Sequence, residues 1–431
     1  MKTFNSILFV LALVLIPLLS QAQFKDMQYW RPYDQRGVNV FEVPKADTVE
    51  YTDVAVRVGG AFTQQIQMLD HSNDAQAIIN ESGVNENELI ELGPGFNLAT
   101  ANLNLDVQLA DGVRMNVVTY LSSRHHPEAW VKGGYLQVDK VPFLKSNFLD
   151  NVFKYVRLRA GHMEINYGDT HFRRTDNANA MYNPLVGNYI MDAFTTEIGA
   201  ELYFFKNDFF AMVATSGGEI RGSVTNPDNR APAYYGKIGF DRQLSPTTRV
   251  RLSGSLYTTS QSLNNTLYAG DRAGSRYYLV MENTQARAGN QFTSGRFNPN
   301  FRDDVQSIMI NPFIEVGGLE LFGVAEWSSG SLSSEDENRE WSQYGGEAVY
   351  RFLRDDQVYV ALRYNTVSGP QPFSTDDVTI NRLQIGGGWF ITKNILMKAE
   401  YVNQTYEDFA PTSINHEGQF NGLMIEATVA F

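Results

Sequence analysis

Residues 421–431 alternate without a break: Leu423, Ile425, Ala427, Val429 and Phe431 fall on one face, and Met424, Glu426, Thr428 and Ala430 on the other. Successive side chains of a strand point to opposite faces. One apolar face set against a mixed one therefore predicts a strand between lipid and a watery interior, or the half-buried edge of a soluble sandwich. The same period recurs along the chain from Val54, with connectors that alternate between short and long. Short turns are expected at Ala110-Asp111-Gly112, Lys206-Asn207-Asp208, Leu244-Ser245-Pro246-Thr247, Gly317-Gly318, Leu353-Arg354-Asp355-Asp356 and Thr392-Lys393-Asn394, where Gly, Asp, Asn and Pro supply the turn geometry. Longer polar stretches, among them 71–95, 261–304 and 329–341, lie between those hairpins. This asymmetry favours an all-β, transmembrane antiparallel β-barrel with short periplasmic turns and long extracellular loops. With 261–304 as a loop the chain yields about sixteen strands, an even number that leaves both termini in the periplasm. Should 276–281 cross the membrane with a partner, the count becomes about eighteen. The weakest strand signal lies at 133–139, ahead of an unusually long connection, 140–154.

The N-terminus bears on compartment. Lys2 precedes an uncharged apolar run, 7–19, and Ser20-Gln21-Ala22 follows as a small-residue cleavage pattern, so 1–22 is expected to be a secretory signal. The run falls short of the ~20 residues a membrane-crossing helix needs. The chain holds no cysteine, which excludes disulfides, thiol metal sites and lipid acylation at a new terminus. The remaining organisation reads as 23–53, a periplasmic N-terminal segment, followed by a barrel over 54–431. The segment carries Tyr29-Trp30-Arg31-Pro32-Tyr33-Asp34 without alternation, and is expected to pack on the barrel base, plug its periplasmic mouth or bind a partner there. Apolar residues at 43% and aromatics at 13% beside a mean hydropathy of -0.29 make sense if half of all strand positions are polar.

Strand parity then sorts the charges, because a charge facing lipid costs ~2–4 kcal/mol at mid-membrane. Arg157, Arg159, Arg249, Arg251, Arg363, Arg382 and Lys398 sit opposite the apolar faces, as do Asp106, Glu197, Glu201, Glu347, Glu400 and Glu426. Such a lumen suits a water-filled pore, and equally a barrel plugged by ion pairs. Aromatics cluster beside the short turns (Tyr203, Phe204, Phe205, Phe209, Phe210, Tyr350, Phe352, Trp389, Phe390 and Phe431), which predicts one interfacial girdle.

The stretch Asn381-Arg382-Leu383-Gln384-Ile385-Gly386-Gly387-Gly388-Trp389-Phe390, with 395–404 and the terminal Phe431, resembles the phosphate-selective porin O/P family. Val156-Arg157-Leu158-Arg159-Ala160-Gly161-His162-Met163 is similar to that family's strand leading into its constriction. The resemblance implies a sixteen-stranded, trimeric porin of a Gram-negative outer membrane. It also implies that Phe431 is the signal read by barrel-insertion machinery.

For ligand choice, the stretch 166–192 is too long for a turn and carries Arg173 and Arg174. Folded inward beside Arg157 and Arg159, it would set four guanidinium groups near one level, able to fork onto phosphate or carboxylate oxygens. The competing expectation is that Arg157 and Arg159 pair with Glu197 and Glu201 on the next strand. Losing Lys2 with the leader takes the formal net charge from -13 to about -14, which disfavours nucleic acid and leaves anion preference to local charges. Acidic residues between Asp70 and Glu91 lack the spacing of a calcium loop. Of the histidines, His162 follows the apolar parity of its strand, while His71, His125, His126, His171 and His416 are placed in loops. No nucleophile elbow or zinc motif accompanies them, and no enzyme or cofactor is expected. The leading expectation is passive diffusion of small hydrophilic solutes or anions, phosphate among them, through a trimeric barrel in outer-membrane lipid. Alternatives are a closed structural barrel, serving as an accessory subunit of an outer-membrane complex, and a loop-based receptor.

Overall fold

Alternation becomes a closed sheet. The computed structural model describes residues 26–431 except 98, 123–128, 221–223, 225–226, 263, 270–275, 290 and 292. The leader expected at 1–22 lies outside the described residues, as do His125 and His126. Seventeen strands share one sheet; Gly95–Phe96 is a two-residue rung on the first strand, and the other sixteen make the barrel. They are β1 (Ala55–Ser72), β2 (Thr100–Ala110), β3 (Val113–Ser122), β4 (Ala129–Val138), β5 (Val156–Glu164), β6 (Thr196–Lys206), β7 (Phe209–Ser216) and β8 (Ala233–Ser245). The second half follows as β9 (Thr248–Thr259), β10 (Val305–Val316), β11 (Leu319–Gly330), β12 (Arg339–Phe352), β13 (Val358–Pro370), β14 (Asp377–Thr392), β15 (Ile395–Glu407) and β16 (Gln419–Ala430). Each strand pairs antiparallel with its neighbours, and β1 pairs with both β2 and β16. Closure ends on Phe431, whose N–H donates to the Gly60 carbonyl and whose carbonyl accepts from the Gly60 N–H, both at 3.0 Å. A closed ladder leaves no strand edge, the requirement for a sheet surrounded by hydrocarbon.

All six expected short turns join consecutive strands at one end, with Gly112 and Gly317 at φ 76° and 59° and Asn207 at 55°. The long connection 139–155 joins β4 to β5 at that same end and contains a 3-10 turn, Pro142–Leu144, and an α-helix, α1 (Asn147–Phe153). Among the described residues no helix is long and apolar enough to cross a membrane. The eighteen-strand alternative fails, because 276–281 lies in the β9–β10 loop. Leu279 and Met281 there take φ of 62° and 55°, which a strand forbids, and Tyr277, Tyr278, Val280 and Met281 are buried by packing rather than by pairing.

Parity separates the two faces as expected. Val56, Leu105, Leu202, Ile238, Leu252, Ile314, Val360, Leu362, Ile385 and Leu423 point outward and are exposed, whereas Asp106, Glu197, Glu201, Arg251, Arg363, Arg382, Lys398 and Glu426 point inward and are buried. The aromatic girdle needs correction on the same principle. Phe204, Phe209, Tyr350, Phe352, Trp389 and Phe431 do face outward, but Tyr203, Phe210 and Phe390 are buried on the inner face. Consecutive aromatics on a strand cannot share a side. His71 also differs from its expected loop placement, standing near the end of β1.

The interior is filled. Residues 26–54 enter from the short-turn end, while the β5–β6 loop (165–195) and the β9–β10 loop (260–304) fold in from the other. Ile165, Tyr167, Val186, Tyr189, Ile190 and Met191 of one loop and Leu267, Tyr268, Tyr277 and Phe301 of the other form an apolar core with inward residues such as Met309, Phe313, Phe322 and Trp341. Leu362→Arg, on the outward face of β13, is expected to lower unfolding free energy in lipid vesicles by ~2–4 kcal/mol. Denaturant titration followed by tryptophan emission measures it, and unchanged stability would place this face outside the hydrocarbon.

Candidate functional site

An inward loop without regular structure must find partners for its own N–H and C=O groups. The β8–β16 wall supplies them. Lys398 Nζ donates to the carbonyls of Ala180, Asn183 and Leu185 at 3.0, 3.1 and 2.9 Å and pairs with Glu426 at 2.6 Å. Arg363 Nη1 donates to the Gly187 carbonyl at 2.7 Å while its other edge pairs with Glu347. Arg382 reaches the Asn188 carbonyl at 2.6 Å and the Gly295 carbonyl. In the opposite sense, Glu400 Oε2 accepts from the N–H groups of Val186 and Gly187 at 2.7 and 3.2 Å, Asn365 Oδ1 from Ile190 at 2.7 Å, and Gln343 Oε1 from Met191 at 3.0 Å.

Two glycines permit this approach. A Cβ on Gly187 would stand 2.0 Å from the Tyr277 hydroxyl, and one on Gly386 would stand 2.5 Å from the Ala399 carbonyl and 2.9 Å from the loop's Leu185. Gly386 thus lets the loop lie close on β14, while Gly388 makes room for the Tyr359 ring of β13.

The arginines of the loop are held as tightly. Arg173 lies between Glu320 at 3.1 Å and Glu347 at 2.7 Å, and Arg174 forks onto Asp192 at 3.0 and 2.6 Å. Asp169 anchors the loop's start, accepting from Arg251 Nε at 2.8 Å and pairing with Lys237 at 2.6 Å. Arg249 pairs with Asp241 at 2.7 Å and donates to the Asn39 carbonyl at 2.9 Å. Removing one member of such a buried pair strands its partner at a cost of roughly 3–5 kcal/mol.

The N-terminal segment locks into the same network. Glu42 pairs with Arg251 at 2.7 Å and Lys237 at 2.9 Å. Burial alone would raise its carboxyl pKa, but those two cations outweigh burial and hold it down to about 2, so it stays charged at neutral pH. Lys45 pairs with Asp139 at 3.0 Å, the Tyr33 hydroxyl donates to Asp106 at 2.8 Å, and Arg31 lies 3.6 Å over the Tyr182 ring of the inward loop. Trp30 is covered by Arg57 at 4.1 Å.

A cavity of about 230 Å³ lies between these segments and the β2–β6 wall. On the wall it is lined by Asn102, Asn104, Arg114, Asn116, Lys132, Tyr135, Arg157, Arg159 and Glu164, and across from them by Arg31, Tyr33, Glu42, Asn166, Asp176 and Tyr182. Arg31, Arg114, Lys132, Arg157 and Arg159 outnumber Glu42, Glu164 and Asp176 there. Arg159 pairs with Glu201 directly across the strands at 3.1 Å, as the cross-strand expectation had it, but Arg157 pairs with Asp139 at 2.8 Å, and Glu197 is occupied by Ser216 and Tyr257. Arg114 Nε, Arg157 Nη2 and Arg159 Nε have no hydrogen-bond partner among the described residues.

The four arginines expected at one level therefore divide. Arg157 and Arg159 line the cavity; Arg173 and Arg174 face carboxylates elsewhere. Arg114 and Lys132 complete the lining and were not singled out from the sequence. Arg114 obeys strand parity and was legible in principle. Lys132 is the extra residue of a bulge, since Val118 pairs with Gly133 while Thr119 pairs with Val131, and a bulge re-aims a side chain against the period.

No protein-family model and no curated protein sequence matches the chain. Solved structures do. An anion-selective porin from Comamonas acidovorans is 10% identical, with a TM-score of 0.52 over 88% of this chain and 100% of that one. The trimer form of OmpT, an outer membrane protein of Vibrio cholerae, is 10% identical, with a TM-score of 0.51 over 88% and 100%. At that identity the likeness concerns architecture, and the chain has the fold of an outer-membrane porin.

Proposed function

We propose that this chain is an outer-membrane diffusion channel for small hydrophilic solutes, with the short turns in the periplasm and a narrow path along the β2–β6 wall that favours anions. The observation that carries the reading is the lining of the inner cavity by Arg114, Arg157 and Arg159, each of which holds a guanidinium nitrogen without a hydrogen-bond partner among the described residues. Planar guanidinium groups bind carboxylate and phosphate oxygens bidentately, and a ring of fixed charge sorts ions in a pore. The sequence resemblance to phosphate-selective porins O/P points to phosphate as the first anion to try. Outer-membrane lipid, the barrel-insertion machinery reading Phe431 and a homotrimer complete the proposed partners. Light scattering in detergent, corrected for bound detergent, should give three times the chain mass, and a single-chain mass would remove the trimer.

A second reading is favoured by the filled lumen. A barrel with so much of its interior satisfied by its own loops and N-terminal segment suits a closed structural subunit, and conductance separates the two. The folded protein in a planar bilayer should show small unitary steps, larger after deletion of residues 26–53; absence of steps in both forms would leave the closed barrel. Under a salt gradient, Arg114→Ala and Arg159→Ala should each move the reversal potential toward cations. Arg354→Ala, fully exposed on a short turn, should leave it unchanged. If the two inner variants behave like Arg354→Ala, the anion path lies elsewhere.

A further inference from the structure

The connection 139–155 is far longer than the other turns at its end, and it is apolar on the outside. Pro142–Leu144 forms a single 3-10 turn, Lys145 takes φ 49°, and the Ser146 hydroxyl caps α1 by accepting from the Leu149 N–H at 3.4 Å. One side of this unit borders a recess at the barrel mouth, lined by its Asp150, Phe153 and Lys154 together with Tyr29 and Lys45 of the N-terminal segment. Its other side presents Phe143, Leu144 and Phe148 at 55%, 54% and 73% exposure. On a helix Phe148 stands well away from Asp150 and Phe153, so the face that borders the recess leaves Phe148 turned from it.

Two observations say what covers this face. It is continuous with the barrel's apolar exterior: the Tyr155 ring lies 6.1 Å from that of Phe204 on the outward face of β6, and the Phe205 N–H donates to the Tyr155 carbonyl at 2.7 Å. Its exposed charges are also cationic, Lys145 and Lys154, in a chain whose formal net charge is -13. Apolar residues interleaved with lysines beside a membrane-facing surface match a bilayer interface, with rings in the acyl boundary and ammonium groups at lipid phosphates.

We propose that residues 139–155 form a wedge lying in the bilayer surface at the short-turn end, with Phe143, Leu144 and Phe148 inserted among acyl chains and Lys145 and Lys154 on the phosphates of anionic phospholipid. The wedge sets how deep this side of the barrel sits, and its place in the bilayer is independent of whether the lumen conducts.

The absence of cysteine makes the test clean, since a single introduced thiol carries the only label. Phe148→Cys and, in the connection 371–376 at the opposite end of the barrel, the equally exposed Phe373→Cys are labelled with a polarity-sensitive fluorophore. The folded full chain is then placed in vesicles of phosphatidylethanolamine and phosphatidylglycerol. The label at 148 should emit blue-shifted and be quenched by nitroxide-bearing lipid, with quenching reduced by Lys145→Glu combined with Lys154→Glu; the label at 373 should emit as in water. Water-like emission at 148, or a blue shift without quenching by lipid nitroxide, would overturn the wedge, the latter because a protein surface would then be covering the face.

Discussion

Hydrocarbon offers no partner to a peptide group, and that constraint shapes everything else in this chain. A sheet placed in it must close, as β1 does on β16 through the full ladder from Ala61 to Ser72 and the last rung at Phe431. Once closed, the barrel has only two faces, and a period of two assigns every strand residue to one of them. All strand charges near mid-membrane are driven inward. Crowding Arg251, Arg363, Arg382, Lys398, Glu347, Glu400 and Glu426 into one lumen then creates a second requirement, because charges removed from water need paired, hydrogen-bonded surroundings.

The irregular segments meet that requirement, and are in turn fixed by it. An irregular loop brings backbone groups that need partners, and the wall's charged side chains offer them. Lys398 satisfies three loop carbonyls and Glu400 two loop amides, while Arg363 and Arg382 bridge loop backbone to wall side chains. The same residue types that would line an open pore here act as the framework of a polar core. Specific position follows from the fixed reach of each side chain and from Gly187 and Gly386, which permit contact at backbone distance.

What could be read from the sequence was what repeats. Turn positions, strand parity, the inward direction of each strand charge and sixteen long strands all follow from a local period and local turn chemistry. The filling of the lumen does not, because segments 26–54, 165–195 and 260–304 have no period and dock through contacts between residues far apart in the chain. Parity applied more strictly would have halved the aromatic girdle, since Tyr203 and Phe204 cannot face the same way, and would have added Arg114 to the inner cations. Lys132 was beyond such reasoning, because its inward aim depends on a bulge. Tyr277 to Met281 misled for the opposite reason: apolar residues that pack inside a barrel look like residues that face lipid outside it.

The route of the inward loop explains where the cavity lies. Leaving β5 and returning at β6, it crosses the lumen and spreads over β8 to β16, where the charged groups of the wall are taken by its backbone, as at Lys398 and Glu400, or by its side chains, as at Arg251 and Glu347. Along β2 to β5 the corresponding groups mainly serve one another: Asn116 donates to Asp106 at 2.8 Å, Arg114 to Gln137 at 3.0 Å and Arg159 to Glu201 at 3.1 Å. A guanidinium group has five N–H donors, and the partners of Arg114, Arg157 and Arg159 leave one nitrogen of each without a hydrogen bond among the described residues. Identical side chains thus become framework on one wall and a polar lining on the other. The path of the backbone between the walls contributes to that asymmetry, and so does the apolar set Met309, Phe313, Phe322 and Trp341 on the wall where the loop docks.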